Sequence, residues 1–137
     1  MLKIISVNTN GIRAAARKGF FDWLKRQNAD VVCIQETKAQ IHQLEDECFR
    51  PKGYFCYYND ALKKGYSGVA IFCRIKPKKI IYGIGYKDFD EEGRYLEVRF
   101  DSINVVSIYL PSGSSGDVRQ SFKMECLEKF ENHLKKL

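Results

Sequence analysis

An apolar run that ends abruptly in a carboxylate is the most informative stretch of the chain. Residues 31–34 are apolar without alternation, which is typical of a strand covered on both faces. Gln35 and Glu36 follow at its carboxyl end, where α/β sheets place their sites. A single glutamate at a strand end more often only leaves the core there, so Glu36 alone does not decide the function.

A second strand ends in polar side chains in the same way. Residues 3–7 are rich in apolar positions and are followed at once by Asn8-Thr9-Asn10-Gly11, the turn chemistry that a strand-to-helix connection needs. Helix-prone segments on either side of Gly19 then lead to the strand over residues 30–34. We therefore predict a βαβ-like unit with amide side chains at the carboxyl end of its first strand.

The later pattern predicts more strands and a closing helix. Residues 39–49 are a helix candidate, and the alternation within residues 94–100 suits a strand with one wet face or an edge position. Asp117 with Gln120 resembles a capping box that opens a helix over residues 118–137. The predicted strands are 54–58, 69–73, 78–82, 94–100 and 104–110. The apolar stripe of the last helix is Phe122, Cys126, Phe130, Leu134 and Leu137.

These elements predict an α/β fold that is part of something larger. Several strands have the composition of strands buried on both faces, yet there are only about four helices, most of them short. The last helical pattern also stops at Leu137 without a C-cap glycine. We therefore expect a large apolar sheet face that is covered by another segment or leads to association.

Composition narrows the class of protein. A chain of 137 residues with 45% hydrophobic positions is long enough for one domain or a piece of one. No apolar run approaches the roughly 20 residues of a membrane helix, and the start has no signal-peptide layout, so we expect a cytoplasmic protein without a membrane partner. The five scattered cysteines indicate buried free thiols in a reducing compartment. Isolated His42 and His133 make a zinc site an unfavoured interpretation.

Charge and the strand ends point to phosphate chemistry. The net charge of +6 favours a polyanionic partner without identifying one. Asn8, Asn10 and Glu36 offer hard oxygen ligands of the kind that Mg²⁺ or Mn²⁺ accepts while it keeps several waters. Tyr109, near Ser112 and its Gly/Ser-rich loop, could hydrogen-bond a phosphoryl oxygen. Divalent-metal hydrolysis of a phosphodiester or phosphomonoester is the reaction class that fits.

Five segments also stand in the order found in the exonuclease III family of DNA repair nucleases, which the chain resembles over its whole length. These segments are 6–13, 30–38, 64–70, 91–94 and 109–111. The resemblance implies a Mg²⁺-dependent 3′-to-5′ exonuclease and apurinic/apyrimidinic endonuclease of base excision repair, in a bacterial-type, nucleoid-associated cytoplasmic setting. The implied fold is half of a DNase I-like four-layer α/β/β/α sandwich, with a mixed β-sheet and flanking helices. Its implied partner is double-stranded DNA with abasic sites or 3′ ends.

The resemblance also implies roles for individual residues. Glu36 matches the principal metal-binding glutamate of the family, and Asn8 matches the asparagine that assists at the metal site. Asn10 falls where some relatives have a metal-binding aspartate, and Tyr109 matches the active-site tyrosine that contacts the scissile phosphate. Four further residues match loop positions near the DNA backbone. They are Lys64, Gly65, Tyr66 and Arg94.

The sequence departs from the family pattern in two places. Ser112 and a Gly/Ser-rich segment follow Tyr109-Leu110-Pro111, where the family often has an asparagine, which affects the balance between abasic-site cleavage and 3′-end trimming. The Gly-Asp-Phe/Trp-Asn motif, a later aspartate and a terminal Ser-Asp-His are absent, and neither His42 nor His133 lies in a matching context. We therefore expect residues 1–137 to be the N-terminal part of a single endonuclease/exonuclease/phosphatase domain. Its partner would be the missing C-terminal half, and the chain alone would be inactive.

Other interpretations stay open at this point. Tyr66 and Tyr109 are equally consistent with ordinary strand and loop aromatics, and lysine pairs such as Lys63-Lys64 are more often solvated. Gly65 need do no more than permit a tight turn. The functional alternatives are a non-catalytic DNA-binding or assembly fragment, and a superfamily phosphatase or phosphodiesterase that acts on phosphoinositides or sphingomyelin.

Overall fold

The computed structural model describes residues 1–112 and 116–137 and contains two β-sheets with helices on their outer faces. The residues at 113–115 of the predicted Gly/Ser-rich loop lie outside the described part. The strands are β1 (Ile4–Asn8), β2 (Val31–Gln35), β3 (Phe55–Asn59), β4 (Val69–Cys73), β5 (Lys79–Tyr82), β6 (Tyr95–Arg99) and β7 (Asn104–Ile108). The α-helices are α1 (Ile12–Arg17), α2 (Phe20–Gln27), α3 (Lys87–Asp90) and α4 (Asp117–Leu134).

The two sheets differ in topology. The first is mixed, with the strand order β1-β2-β4-β3, and its β1 and β2 are parallel. This parallel pair, connected through α1 and α2, confirms the predicted βαβ-like unit. The second sheet is antiparallel in the order β5-β6-β7. Asn8 pairs with Gln35, so the polar ends of β1 and β2 meet at one edge.

Three apolar clusters lie between the four layers of the predicted sandwich. The layers are α1 with α2, the first sheet, the second sheet, and α4. Val32, Ile34 and their neighbours pack towards α1 and α2, whereas Val31 and Cys33 pack towards the second sheet. Alternate residues of β2 therefore enter two different cores, which explains why its sequence shows no alternation. On the outer face of the second sheet, Tyr95 packs with Cys126 of α4.

Helices pack on the outer faces of both sheets, so within residues 1–112 and 116–137 the expected large exposed apolar sheet face is not found. Strand β6 was predicted to have a wet face or an edge position, but it is the central strand of its sheet, and residues 95–98 are all buried. The polar position that produced the alternation is Glu97, which finds hydrogen-bond partners inside the protein. Local hydrogen bonding can satisfy a buried polar side chain in a way that the pattern does not reveal.

The helical predictions also need correction. Residues 39–49 form only two 3₁₀-helices, Ile41–Gln43 and Glu47–Phe49, because the Asp46 side chain accepts the amide of Cys48 and interrupts a continuous helix. Helix α4 begins at Asp117 after Gly116 and has no side-chain cap, so the predicted capping box is absent. Leu134 and Leu137, the last two members of its predicted stripe, are about half exposed.

Cysteine burial agrees with the prediction for only some of the thiols. Cys33, Cys73 and Cys126 are buried, Cys56 is half-buried and Cys48 is exposed. All five are free. Within the described ranges, none of the helices is long and apolar enough to cross a membrane.

Candidate active site

The joined ends of β1, β2 and β4 form the framework of the site. Past the strand ends, Gly11 and Ile12 donate backbone hydrogen bonds to the carbonyls of Glu36 (2.7 Å) and Thr37 (2.9 Å). On the other side, the amides of Thr37 and Lys38 donate to the loop that precedes β4 (3.1 and 2.8 Å). The segment that carries Glu36 is therefore held between two neighbouring loops.

The backbone of this framework is strained at several side-chain-bearing residues. Asn10, Glu36, Lys38 and Ser67 all have positive φ, between 46° and 52°. This conformation is uncommon for residues other than glycine, and each instance costs about 1–3 kcal/mol. Gly68, beside them, cannot be replaced easily because a Cβ there would lie 2.1 Å from the Thr37 hydroxyl. Strain concentrated in one place is a feature of functional sites.

Glu36 lies at the centre of a hydrogen-bonded group. Its Oε1 accepts a hydrogen bond from Nδ2 of Asn8 (2.8 Å), and its Oε2 lies 3.4 Å from the ammonium of Lys38. Tyr109 also hydrogen-bonds the carboxylate. Partial burial opposes ionisation of Glu36, but the hydrogen bonds from Asn8, Tyr109 and Lys38 outweigh it and hold its pKa below the usual value. Glu36 is therefore an anion at neutral pH.

Tyr109 is held by Arg94, the residue that precedes β6. Its amide donates to the Arg94 carbonyl (2.9 Å), and its carbonyl accepts from Nη1 of Arg94 (2.9 Å). Burial and the neighbouring Glu36 charge raise the pKa of the Tyr109 hydroxyl. The hydroxyl therefore keeps its proton at neutral pH and remains a hydrogen-bond donor.

The structure brings all four predicted catalytic and metal-site residues into one network. Oδ1 of Asn8 accepts the amide of Asn10 (2.9 Å), and Oδ1 of Asn10 accepts from Nζ of Lys38 (2.6 Å). Lys38 then reaches Glu36, which completes the path back to Asn8. The side chain of Asn8 orients the Glu36 carboxylate, whereas that of Asn10 is directed to Lys38.

Sequence reasoning missed the contacts of two residues close to Glu36 in the chain. Lys38 stands two residues after Glu36, a spacing that would indicate a shared location only if the turn between them were known. Gln35 was seen as polar, but its Nε2 donates to the Ser107 hydroxyl of β7 (3.2 Å), which ties the two sheets together. Neither contact has a signature in a single sequence.

The residues predicted near the DNA backbone lie in two different environments. Lys64 and Gly65 are exposed, and Tyr66 is half-buried. Arg94 is only 1% exposed, and its guanidinium donates to Glu92 (2.8 Å), the Tyr109 carbonyl and the Tyr66 hydroxyl (2.8 Å). Arg94 therefore lies below the surface, and its predicted place near the DNA backbone stays a prediction.

The donor set suits a hard divalent cation in part. Glu36 offers a partly exposed anionic carboxylate, and amide oxygens lie close by. Within residues 1–112 and 116–137, no three His, Cys, Asp or Glu side chains converge on one point. One carboxylate with neutral oxygens is the kind of incomplete protein ligand set that Mg²⁺ accepts, since it keeps several of its waters.

Comparison with known proteins gives this arrangement a family. Residues 5–135 match the model of the Endonuclease/Exonuclease/phosphatase family. The chain belongs to this family. It is 39% identical over 137 residues to an exodeoxyribonuclease of Bacillus subtilis, with 99% of the chain and 53% of that protein covered. It is 36% identical over 126 residues to the DNA repair nuclease APEX1 of Danio rerio, with 89% and 40% covered.

Solved structures agree with the fold of this family member. An AP endonuclease from Archaeoglobus fulgidus matches with a TM-score of 0.85 and 30% identity, and the match covers 99% of the chain and 52% of that protein. The catalytic domain of APE2 from Xenopus laevis matches with a TM-score of 0.82 and 26% identity, over 99% of the chain and 55% of that one. The chain thus spans about half the length of these proteins.

Proposed function

We propose that the chain carries the N-terminal part of the active site of a Mg²⁺-dependent DNA repair nuclease of the exodeoxyribonuclease III type. The substrate is duplex DNA, cut at abasic sites and trimmed from 3′ ends, in a cytoplasmic, nucleoid-associated setting. The observation that carries the proposal is the anionic Glu36 carboxylate, which Asn8, Lys38 and Tyr109 hold at the joined strand ends. The names of the relatives support a nuclease acting on DNA.

Each residue has a distinct part in this proposal. Glu36 supplies the anionic oxygen for Mg²⁺ (or Mn²⁺), and Asn8 keeps that carboxylate oriented. The cation, when bound, supplies Lewis-acid polarisation of the phosphate and a more acidic water. The protonated Tyr109 hydroxyl donates a hydrogen bond to the scissile phosphate, in exchange for its present contact with Glu36. Lys38 offsets part of the negative charge of the site and holds the Asn10 side chain by a hydrogen bond.

The proposal also says which catalytic groups the 137 residues do not supply. They contribute one ionised carboxylate and a tyrosine, while a nuclease also needs a group that activates water and one that assists the leaving oxygen. We propose that these groups come from a C-terminal half of the same domain. The chain alone would then bind duplex DNA weakly and cut it barely or not at all.

Cleavage of a fluorescent duplex with one abasic site tests the proposal. The chain would be compared with a version joined to the part of the Bacillus subtilis exodeoxyribonuclease that it does not match, each in Mg²⁺ or EDTA. We expect cutting only by the joined protein, lost in EDTA and lost on Glu36→Ala. Mg²⁺-dependent cutting by the chain alone would contradict the assignment of the missing groups.

Competition in the same assay separates the remaining alternatives. Abasic duplex DNA should inhibit the joined protein, and a phosphorylated inositol should not. Preferential inhibition by the inositol would favour a phosphatase or phosphodiesterase. The remaining outcome is that the joined protein never cuts the duplex and that Glu36→Ala leaves its affinity for the duplex unchanged. This outcome would favour a non-catalytic binding module.

A further inference from the structure

The hydroxyl of Tyr66 receives two hydrogen bonds from positively charged groups. Nη2 of Arg94 lies 2.8 Å from the hydroxyl, and Nη2 of Arg119, in the first turns of α4, lies 2.7 Å from it. A guanidinium can only donate, so the phenolic oxygen accepts both hydrogen bonds. Both of its acceptor positions are then filled. The hydroxyl can therefore still donate one hydrogen bond, and this bond must go to a group other than the two arginines.

The charge around Tyr66 determines which kind of group can accept this hydrogen bond. The Lys63 ammonium lies 5.0 Å from the centre of the Tyr66 ring, in addition to the two guanidinium groups. Glu92 pairs with Arg94 and offsets one of these three positive charges. The acceptor that best fits a phenol donor surrounded by surplus positive charge is an anionic oxygen, such as that of a phosphate.

We propose that Arg119 is a positioning residue for a substrate phosphate. Together with the buried Arg94, it fixes the Tyr66 hydroxyl as an outward donor to a non-scissile phosphate of the DNA backbone. This inference rests on the proposed function for the identity of the phosphate. It also gives α4 a role at the site, because Arg119 on α4 and Arg94, just before β6, bind the same Tyr66 hydroxyl.

A double-mutant cycle on duplex binding tests whether Arg119 acts through Tyr66. The variants are Arg119→Gln, Tyr66→Phe and the pair, with Lys123→Gln as a charge-matched control on the same helix. Affinity would be measured for a short duplex at low ionic strength, with folding checked by circular dichroism. We expect Arg119→Gln to weaken binding about tenfold when Tyr66 is present, and no more than the control when it is Phe. Equal weakening in both backgrounds would overturn the proposal.

A second measurement separates this inference from the proposed function. The ¹³Cζ resonance of Tyr66 would be followed while inorganic phosphate is added to the wild type and to Arg119→Gln. We expect a saturable shift that Arg119→Gln abolishes. If phosphate causes the shift but the protein binds no duplex, the anion site is supported and the proposed DNA substrate is contradicted. Duplex binding without the shift or the coupling would overturn the role of Arg119 and leave the proposed function standing.

Discussion

Two glutamates in this protein have similar partners and opposite surroundings. Glu36 accepts hydrogen bonds from Asn8 and Tyr109 and lies near the ammonium of Lys38, and its side chain is 19% exposed. Glu97 accepts from the Tyr95 hydroxyl (2.5 Å) and Nε of Arg99 (2.6 Å), and it is fully buried. Each carboxylate is thus paired with a tyrosine and a cation. What differs is whether any side of the carboxylate remains open.

The closed cluster around Glu97 has a structural role. The Tyr95 hydroxyl that donates to Glu97 also lies 2.9 Å from Nε2 of His133, which connects β6 to the end of α4. Burial opposes ionisation of Glu97, but the hydrogen bonds from Tyr95 and Arg99 outweigh it and lower its pKa. A buried carboxylate retained in this way fixes neighbouring elements, whereas the open side of Glu36 leaves space for a ligand.

The largest expected difference is in stability. Glu97→Gln removes a buried charge that pairs with the partly exposed Arg99 and should lower the free energy of unfolding by about 3 kcal/mol. Glu36→Gln, the same change at the partly exposed site, should lower it by less than about 1 kcal/mol. Urea denaturation of the two variants measures both values. An equal loss from both substitutions would show that the two clusters are alike in role.

The tyrosines extend the comparison with a smaller expected effect. Tyr95→Phe leaves Glu97 without one donor and removes the contact with His133, so we expect a loss of about 2 kcal/mol. Tyr109→Phe should cost less than about 1 kcal/mol, because solvent can replace its contact with the partly exposed Glu36. Thermal unfolding of the two variants provides the test. A larger loss at Tyr109 would reverse the assignment of roles.

Acid should weaken the fold through both carboxylates, with Glu97 as the main contributor. A glutamate whose pKa is lowered in the folded state stabilises the fold above its ordinary value of 4.5, and this contribution disappears as the pH falls through the lower folded-state pKa. We therefore expect the free energy of unfolding to decline below about pH 5. The decline should be shallower in Glu97→Gln than in Glu36→Gln. A decline that Glu97→Gln leaves unchanged would contradict the pairing described here.

The smallest predicted effect is a change in the pKa of Glu36 itself. Asn8→Ala removes its 2.8 Å hydrogen bond, so the pKa of Glu36 should rise towards its ordinary value. The side-chain carboxyl ¹³C resonance of Glu36, followed against pH, measures this shift. Ser6→Ala, on the same strand, serves as the control. An unchanged titration in Asn8→Ala would mean that Asn8 does not orient the carboxylate.

Sequence patterns were sufficient to predict the structure where the position of a residue depends only on its own strand. The run before Glu36 and the turn residues after Val7 predicted the parallel pair that brings Asn8 and Glu36 together. The pattern failed at Glu97, because a polar residue inside a core is indistinguishable from one facing water until its partners are known. The burial of Arg94 could not be predicted for the same reason, since its three acceptors come from separate parts of the chain.

Lys38 and Arg119 show a further limit of sequence reasoning. Lys38 reaches Glu36 only because both residues have positive φ, a conformation that neither residue type predicts. Arg119 meets Tyr66 across a separation of 53 residues. Contacts of this kind depend on how α4 docks on the second sheet, and no local pattern contains that information.

Paramagnetic line broadening by Mn²⁺ tests the central claim most directly. Amide resonances of the wild type, Glu36→Gln and Glu97→Gln would be recorded while Mn²⁺ is added. We predict broadening centred on Asn8, Glu36 and Tyr109 in the wild type, retained in folded Glu97→Gln and lost in Glu36→Gln. Broadening that persists in Glu36→Gln, or that is centred elsewhere in the chain, would contradict the assignment of Glu36 as the metal-binding carboxylate.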